Sequence, residues 1–367
     1  MALSVIFASP AAAQQAPDAG ARAWTLVDAE TGERLGGENV DEELPMASTT
    51  KIMTALVVLE EVENLDEEVT VSESAAKYAR PPFSNVGLRA GDTLTVRELL
   101  TAAMLESGND AAYALAEHVG GGSSERFVEM MNRHAEELGL EESSFENPVG
   151  LDDPDHYSSA SDLARMGHLA LQKPELRGIL DTGSTAIDTK QGREIPLQST
   201  NELLAAYPPA TGIKTGTTPE AGESLVASAK IEDESYITVM LDAVDRFGAA
   251  IEELEYGFSA YDRRDVIEGG EVYASEPLPS RPNQEVELAA GQTASALVAA
   301  GAEVERRVEV GEMPASAEKG ERVGRVIAEA NGERVASASL VAAEGYEEAS
   351  MWRKLWYTAR GVFGEEG

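Results

Sequence analysis

The chain has 367 residues, 43% of them hydrophobic, which is enough for two domains with substantial cores. Acidic residues outnumber basic ones by 66 to 29, a net charge of −37, so a nucleic-acid partner is excluded because its phosphates would be repelled. There is no cysteine, which excludes disulfides, thiolate metal sites and cysteine nucleophiles. The acidity itself is typical of a heavily solvated surface, as in salt-adapted proteins.

The N-terminus has the composition of an export signal. An apolar run at residues 2–8 precedes the small residues Ala11-Ala12-Ala13, which suit cleavage after about Ala13. We expect residues 1–20 to be a signal-peptide remnant and the protein to act at the extracytoplasmic face of the cell membrane, on its periplasm or wall side; a frayed apolar tail is the alternative. No run reaches the roughly 20 apolar residues that a spanning helix needs.

The first two thirds of the chain alternate between strand and helix patterns. Residues 21–35 predict a β-hairpin around turn residues. An apolar run after Ser48 predicts a buried helix opening there with a Ser or Thr cap, and Thr95 predicts the cap of another helix. We also expect helices at 111–116, 127–138, 162–171 and 249–261, and strands at 185–188, 225–229 and 236–240, the last two as an antiparallel pair.

This order of elements predicts an α+β domain over residues 21–262, because helices are inserted among antiparallel strands. Beyond Asp265, short β segments alternate with Gly, Pro and Asn turns, and no long helix is evident. We therefore expect a second domain, a small all-β sandwich, over residues 263–346.

The tail, residues 347–367, differs from the acidic chain before it. Trp352, Leu355 and Trp356 fall on one face of a helix, with Arg353 and Lys354 on the other. This pattern predicts an amphipathic helix in the membrane interface. A helix docked on the β domain is the alternative.

Ser48 and Lys51 carry the first chemical signal. Residues three apart on a helix lie on one face, and a neutral lysine amine can take the proton of a serine hydroxyl. Burial and a second cation both lower a lysine pKa. Ser-x-x-Lys at the start of a buried helix therefore indicates a nucleophile with its base, whereas a capping serine and a solvated lysine are the plain alternative.

Two further motifs support the chemical interpretation. Ser107-Gly108-Asn109 stands between two predicted helices, where a turn can direct a hydroxyl and an amide into a cleft. Lys214-Thr215-Gly216 lies on a probable strand, with a glycine that allows close backbone approach. Ser-x-x-Lys, Ser-Asp-Asn and Lys-Thr-Gly together are typical of β-lactamases and penicillin-binding proteins. Here Gly108 takes the middle place of the second motif.

The sequence resembles the low-molecular-mass penicillin-binding proteins that act as serine-type D-alanyl-D-alanine carboxypeptidases. The likeness runs from Ala23 to Tyr261 and continues more weakly through the β domain to the tail. Besides the three motifs, it rests on residues 45–55, 104–112, 150–160, 201–204 and 212–218, and on Ala221-Gly222. It implies a transpeptidase-like catalytic domain, a peptidoglycan stem peptide ending in D-Ala-D-Ala as substrate, β-lactams as covalent inhibitors, and no cofactor or metal.

The resemblance also implies the role of each catalytic residue. Ser48 would attack the terminal D-Ala-D-Ala bond, with Lys51 as base and Ser107 relaying a proton to the leaving D-alanine. Backbone N–H groups of Ser48 and Thr217 would form the oxyanion hole. The implied substrate-binding residues are Asn109, which would hold the substrate amide, and Lys214, Thr215, Gly216, Thr217 and Arg246, around the substrate carboxylate. Lys214 would also lower the pKa of Lys51.

Three other functions remain open at this point. A β-lactamase would use the same nucleophile, but the nearest string to the class A deacylation motif, residues 174–177, lacks the required pattern. A D,D-endopeptidase and a non-catalytic wall-binding protein would share the scaffold. The four histidines and paired carboxylates such as Asp152-Asp153 show no ligand spacing and are interpreted as packing or solvated groups.

Overall fold

The computed structural model describes residues 16–279 and 281–348, which divide into two compact units. The N-terminal unit is Gln15–Phe258, and the C-terminal unit begins at Ser259. Most of the predicted signal remnant and nearly all of the predicted amphipathic tail lie outside the described residues. In the part of the chain that is described, no helix is long and apolar enough to cross a membrane.

The N-terminal unit contains nine strands and eight helices within its described residues. The strands are β1 (Ala21–Asp28), β2 (Arg34–Glu38), β3 (Glu68–Thr70), β4 (Thr93–Thr95), β5 (Ser184–Asp188), β6 (Glu194–Gln198), β7 (Ala210–Thr218), β8 (Gly222–Ile231) and β9 (Glu234–Ala243). The helices are α1 (Lys51–Glu61), α2 (Val96–Leu105), α3 (Asn109–Val119), α4 (Ser124–Leu138), α5 (Ala160–Gln172), α6 (Pro174–Leu180), α7 (Leu203–Ala206) and α8 (Arg246–Ala260), which ends just past the boundary.

One five-stranded antiparallel sheet organises this unit, in the order β2-β1-β9-β8-β7. The predicted hairpin β1–β2 and the predicted pair β8–β9 are both confirmed, with Leu225 opposite Met240 in the latter. Strand β7 is the last in this order and pairs with β8. Its other edge is therefore the place where an extended ligand strand could lie against the sheet.

Helix α1 lies in the middle of the unit because most of its residues are apolar. The eight residues 51–58 are all buried, and six of them are apolar, the exceptions being Lys51 and Thr54. Helices α2, α3 and α5 pack against it. Helix α2 begins as predicted at Thr95, whose side chain accepts from Glu98 N while the Glu98 carboxylate accepts from Thr95 N.

A Ser or Thr side-chain cap was predicted for a helix opening near Ser48, and no such cap forms, although Thr50 occupies the N-cap position of α1. Residues Ala47–Thr50 form a 3₁₀ turn, and α1 begins only at Lys51, with no side chain capping either start. The hydroxyls of Thr49 and Thr50 donate backward to Met46 O and Ala47 O instead, at 2.6 and 2.7 Å. The Ser48 hydroxyl is therefore not engaged with the helix start.

Beyond the last two residues of α8, the C-terminal unit is all-β in its described residues, so the predicted α+β architecture with an all-β second part is confirmed. Its strands are β10 (Tyr261–Ile267), β11 (Val272–Leu278), β12 (Arg281–Ala290), β13 (Ala294–Ala299), β14 (Val304–Val310), β15 (Arg322–Ala330) and β16 (Glu333–Ala342). They form a five-stranded sheet, β11-β12-β16-β15-β14, and the pair β10-β13. Strand β10 was not predicted from the sequence.

Candidate active site

Ser48 and Lys51 meet at the junction between the 3₁₀ turn and α1. Ser48 is half-buried, whereas Lys51 is 1% exposed, and Lys51 Nζ lies 2.9 Å from Ser48 Oγ. Ala47, just before the serine, has a left-handed φ of 49°. A strained residue at this point is typical of a functional site and directs the next side chain out of the turn.

Lys51 has two further contacts. Its Nζ lies 2.7 Å from Asn109 Oδ1 and 2.7 Å from the backbone carbonyl of Val149. Burial lowers the pKa of Lys51 well below its ordinary value, Lys214 lowers it further, and Asp110 opposes the shift. A buried amine with a lowered pKa is the form of lysine that can accept a proton.

Ser107 lies in the turn between α2 and α3, and Asn109 begins α3 directly after that turn. Ser107 has a left-handed φ of 63°, and its buried Oγ has no hydrogen-bond partner among the described residues. Asn109 is the first residue of α3, and Asp110 beside it accepts backbone hydrogen bonds from Val86 and Leu88. The unpaired hydroxyl is left available for a ligand, because buried polar groups are normally satisfied.

Strand β7 brings the third motif against the nucleophile turn. A Cβ at Gly216 would lie 2.9 Å from Met46 O and 3.0 Å from Ser48 N, so only glycine fits this approach. Lys214 is 1% exposed, and burial together with the neighbouring Arg246 lowers its pKa to about 7. Its Nζ donates to Thr215 O at 3.1 Å.

Arg246, whose position the sequence left open, contacts the same strand. It is the first residue of α8, and its Nη1 donates to Gly216 O and Thr217 Oγ1, both at 2.8 Å. Burial lowers the pKa of this guanidinium. Lys214, on β7, and Arg246, beside that strand, thus place two basic groups where an anionic group would be stabilised.

Several contributors were missed from the sequence. Val149 acts through its backbone carbonyl, which leaves no side-chain signal. Thr200 Oγ1 lies 2.6 Å from Thr215 Oγ1, and Asp152 accepts from Thr218 Oγ1 at 2.5 Å, which ties the loop after Val149 to the end of β7. The segments around them, residues 150–160 and 201–204, were recognised, but the contacts were not.

His156 is the one histidine buried beneath the site. Its Nδ1 accepts from Glu146 N at 2.9 Å, so its Nε2 carries the proton toward Thr50 Oγ1, 2.8 Å away. Burial lowers its pKa to about 4. The ring therefore stays neutral and stabilises the 3₁₀ turn through its hydrogen bond to Thr50. Within residues 16–279 and 281–348, no cluster of His, Asp and Glu side chains could hold a metal.

Comparison with known proteins identifies relatives with this architecture. The sequence profile of the family described as D-alanyl-D-alanine carboxypeptidase matches residues 10–245. D-alanyl-D-alanine carboxypeptidase DacF of Bacillus subtilis is 32% identical over 342 residues, which cover 90% of this chain and 87% of that protein. DacC of Escherichia coli is 32% identical over 358 residues, covering 93% and 88% respectively. The crystal structure of penicillin binding protein 5 from Haemophilus influenzae superimposes with a TM-score of 0.73 at 30% identity, covering 91% of this chain and all of that one.

Proposed function

The chain belongs to the D-alanyl-D-alanine carboxypeptidase family and is a serine-type carboxypeptidase of the penicillin-binding kind, and from that premise we propose how its residues divide the reaction. The substrate is a peptidoglycan stem peptide ending in D-Ala-D-Ala. Ser48 is the nucleophile and Lys51 its general base. Ser107 relays a proton, and the groups along β7 bind the substrate carboxylate.

The observation that carries this proposal is the set of contacts around the Lys51 amine. A neutral amine has two N–H groups and one lone pair. Asn109 Oδ1 and Val149 O are both pure acceptors at 2.7 Å, so they take the two N–H groups. With both N–H groups engaged, the lone pair of the neutral amine is directed at Ser48 Oγ, 2.9 Å away, and in that form the hydroxyl can donate to it. This is the arrangement that general-base activation of a serine requires.

Acylation follows from that geometry. The Ser48 oxygen attacks the carbonyl carbon of the penultimate D-alanine while its proton passes to Lys51. The negative oxygen that develops is stabilised by the backbone N–H groups of Ser48 and Thr217, a contribution of about 10²–10³ in rate. The C–N bond then breaks, and the leaving nitrogen receives the proton through Ser107, whose hydroxyl is buried and unpaired within the described part of the chain.

Deacylation reverses the proton path. Water attacks the acyl carbon and gives up a proton to the amine of Lys51. The bond between the carbon and the Ser48 oxygen breaks, and that oxygen recovers its proton. A β-lactam would acylate the same oxygen, with its ring nitrogen in place of the leaving amine.

Substrate binding is proposed for the basic groups on and beside β7. Lys214 and Arg246 attract the terminal carboxylate, and Thr215 donates to it. Asn109, whose Oδ1 faces Lys51, offers its Nδ2 to the substrate amide. These groups lie beside Gly216, where the strand edge and the nucleophile turn are closest.

The experiment is D-alanine release from a peptide ending in Lys-D-Ala-D-Ala, with intact mass after exposure to penicillin. We expect release and a persistent adduct of one penicillin for the wild type, and neither for Ser48→Ala. Ser275→Ala, at an exposed serine of the C-terminal unit, is the matched control and should behave as the wild type. Rapid loss of the adduct would point to a β-lactamase, and cleavage of cross-linked peptides alone to an endopeptidase. An enzyme still acylated after Ser48→Ala would refute the assignment.

The location of the enzyme is a second, separate proposal. Its substrate lies outside the cytoplasm, so we place the protein at the extracytoplasmic face of the membrane, held by the amphipathic pattern of residues 351–363. Co-flotation with anionic lipid vesicles tests this. Truncation after residue 348 should abolish flotation and leave D-alanine release unchanged.

A further inference from the structure

The loop of residues 147–151, here called the Asn147 loop, is organised by one side chain. Asn147 Oδ1 accepts from the backbone N–H groups of Val149, Gly150 and Leu151, at 3.3, 2.8 and 2.9 Å. Its Nδ2 donates to Leu151 O at 3.0 Å. A single amide thus fixes the direction of three successive peptide groups.

This loop is pressed against the nucleophile turn and α1. Gly150 has a φ of +88°, and a Cβ on it would lie 2.0 Å from Ala47 O. On the other side, Thr54 Oγ1 of α1 donates to Pro148 O at 2.7 Å. The peptide between these two contacts belongs to Val149, whose carbonyl lies 2.7 Å from Lys51 Nζ and 3.4 Å from Ser48 Oγ.

The direction of that carbonyl decides how the Lys51 amine is oriented. If Val149 O turns away, one N–H of the amine loses its acceptor and can rotate to donate to Ser48 Oγ. The lone pair would then point elsewhere, and the serine proton would have no acceptor. We infer that Asn147 is a positioning residue for acylation, which acts on Ser48 through the carbonyl of Val149 and the amine of Lys51. This inference rests on the proposed role of Lys51 as base.

A nearby asparagine supplies a matched control. Asn132 Oδ1 accepts from Phe145 N at 2.9 Å, and its Nδ2 donates to Phe145 O at 2.8 Å. Asn132 therefore braces the chain just before the Asn147 loop with bonds of the same kind. It makes no hydrogen bond to Lys51 or Ser48 among the described residues. We therefore expect Asn132→Ala to cost comparable stability without turning the Val149 carbonyl.

The test measures acylation by a fluorescent penicillin over a range of concentrations, which separates the limiting rate from half-saturation. We expect Asn147→Ala to lower the limiting rate about 10- to 100-fold, because small misplacements of a catalytic group have effects of this size. The penicillin concentration that gives half the limiting rate should stay within twofold of the wild-type value, since Asn147 contacts none of the proposed substrate-binding groups. The carboxylate of Asn147→Asp can accept the same three N–H bonds, so this variant should recover most of the rate. The comparison is made at pH 9, because the added negative charge favours protonated Lys51 and a high pH opposes that effect.

The possible outcomes distinguish a failure of the positioning role of Asn147 from a failure of the proposed function. A wild type that is not acylated on Ser48 refutes the proposed function. A wild type that is acylated while Asn147→Ala matches it within twofold refutes the positioning role. Equal losses of rate in Asn147→Ala and Asn132→Ala, at equal loss of Tm, would also refute it, because general destabilisation would explain both. If Asn147→Ala does not fold, Asn147→Ser, which cannot hold all three N–H groups, takes its place in the comparison.

Discussion

Replacing Lys214 by methionine should make the protein more stable and inactive. Lys214 is 1% exposed, and its pKa is lowered from 10.5 to about 7. At pH 8 the folded protein holds this amine largely neutral, although the unfolded chain would protonate it. Keeping the amine neutral in the folded protein therefore lowers the free energy of unfolding. This loss of stability grows by about 1.4 kcal/mol for each pH unit below 10.5 and is about 3 kcal/mol at pH 8.

Methionine is unbranched and adapts to buried space, so it should fit where the lysine stem lies. It loses the hydrogen bond to Thr215 O, a loss of about 1 kcal/mol. The net gain is then about 2 kcal/mol, or roughly 4–8 °C in Tm. D-alanine release should fall by at least about 10²-fold, because a bound substrate carboxylate favours the protonated form of Lys214 and pairs with it, an interaction worth several kcal/mol that methionine cannot make.

The pH dependence provides the stricter test. Between pH 7 and 10.5 the unfolded chain binds more protons at position 214 than the folded protein does, so the wild type gains stability as pH rises. Lys214→Met lacks this gain, and its advantage should shrink toward pH 10. Thermal unfolding at pH 7.5, 8.5 and 10 measures it, with Lys230→Met, at an exposed lysine of β8, as control. A destabilised Lys214→Met, or an advantage that is constant with pH, would refute the reasoning.

Three further predictions concern packing, acid stability and salt. Gly216→Ala should slow Ser48 acylation at least tenfold in the penicillin assay, because its Cβ would lie 3.0 Å from Ser48 N, whereas Gly178→Ala, with nothing within 4 Å, should not. His156→Gln should reduce the loss of stability between pH 6.5 and 4 by up to about 3 kcal/mol in urea unfolding, because the unfolded chain binds a proton there that the folded ring, with its pKa of about 4, does not. Finally, with a peptide whose lysine is acylated, so that only the terminal carboxylate is charged, kcat/KM should rise with NaCl while kcat stays constant, since the net charge of −37 repels the anionic peptide over Debye lengths of about 30 Å at 0.01 M and 10 Å at 0.1 M. A decline of kcat/KM with salt would contradict this last prediction.

The parts of the site that could be predicted are those in which side-chain type and spacing carry the chemistry. Ser48 and Lys51 are three residues apart, and Ser107 and Asn109 lie in a turn that two helix patterns delimit. Lys214 stands on a strand bounded by turn residues. Each is visible in a short window of sequence, and the structure brings Ser48, Lys51 and Asn109 within hydrogen-bonding distance around one amine.

The rest depends on contacts that leave no local pattern. Every residue has a carbonyl, so nothing in the sequence marks Val149, and Asn147 looks like an ordinary turn residue. The predicted Ser or Thr cap of α1 does not form because the hydroxyls of Thr49 and Thr50 donate to the preceding carbonyls instead. Arg246 begins α8, which follows β9, and it contacts Gly216 of β7 because β8 pairs with both of these strands. This order of strands in the sheet is not visible in the sequence.

The pKa values of the two buried lysines depend little on the net charge of the whole chain. A net charge of −37 would by itself raise a lysine pKa, yet burial lowers it for both Lys51 and Lys214. Among the described residues, only Asp110 is a carboxylate with a resolved opposing effect on Lys51, and its oxygens are already occupied by backbone N–H groups. Exposed charges farther than about 10 Å are screened at 0.1 M salt, while buried neighbours are not. The acidic surface therefore governs the approach of substrate, whereas groups packed around the amine decide whether it can take a proton from Ser48.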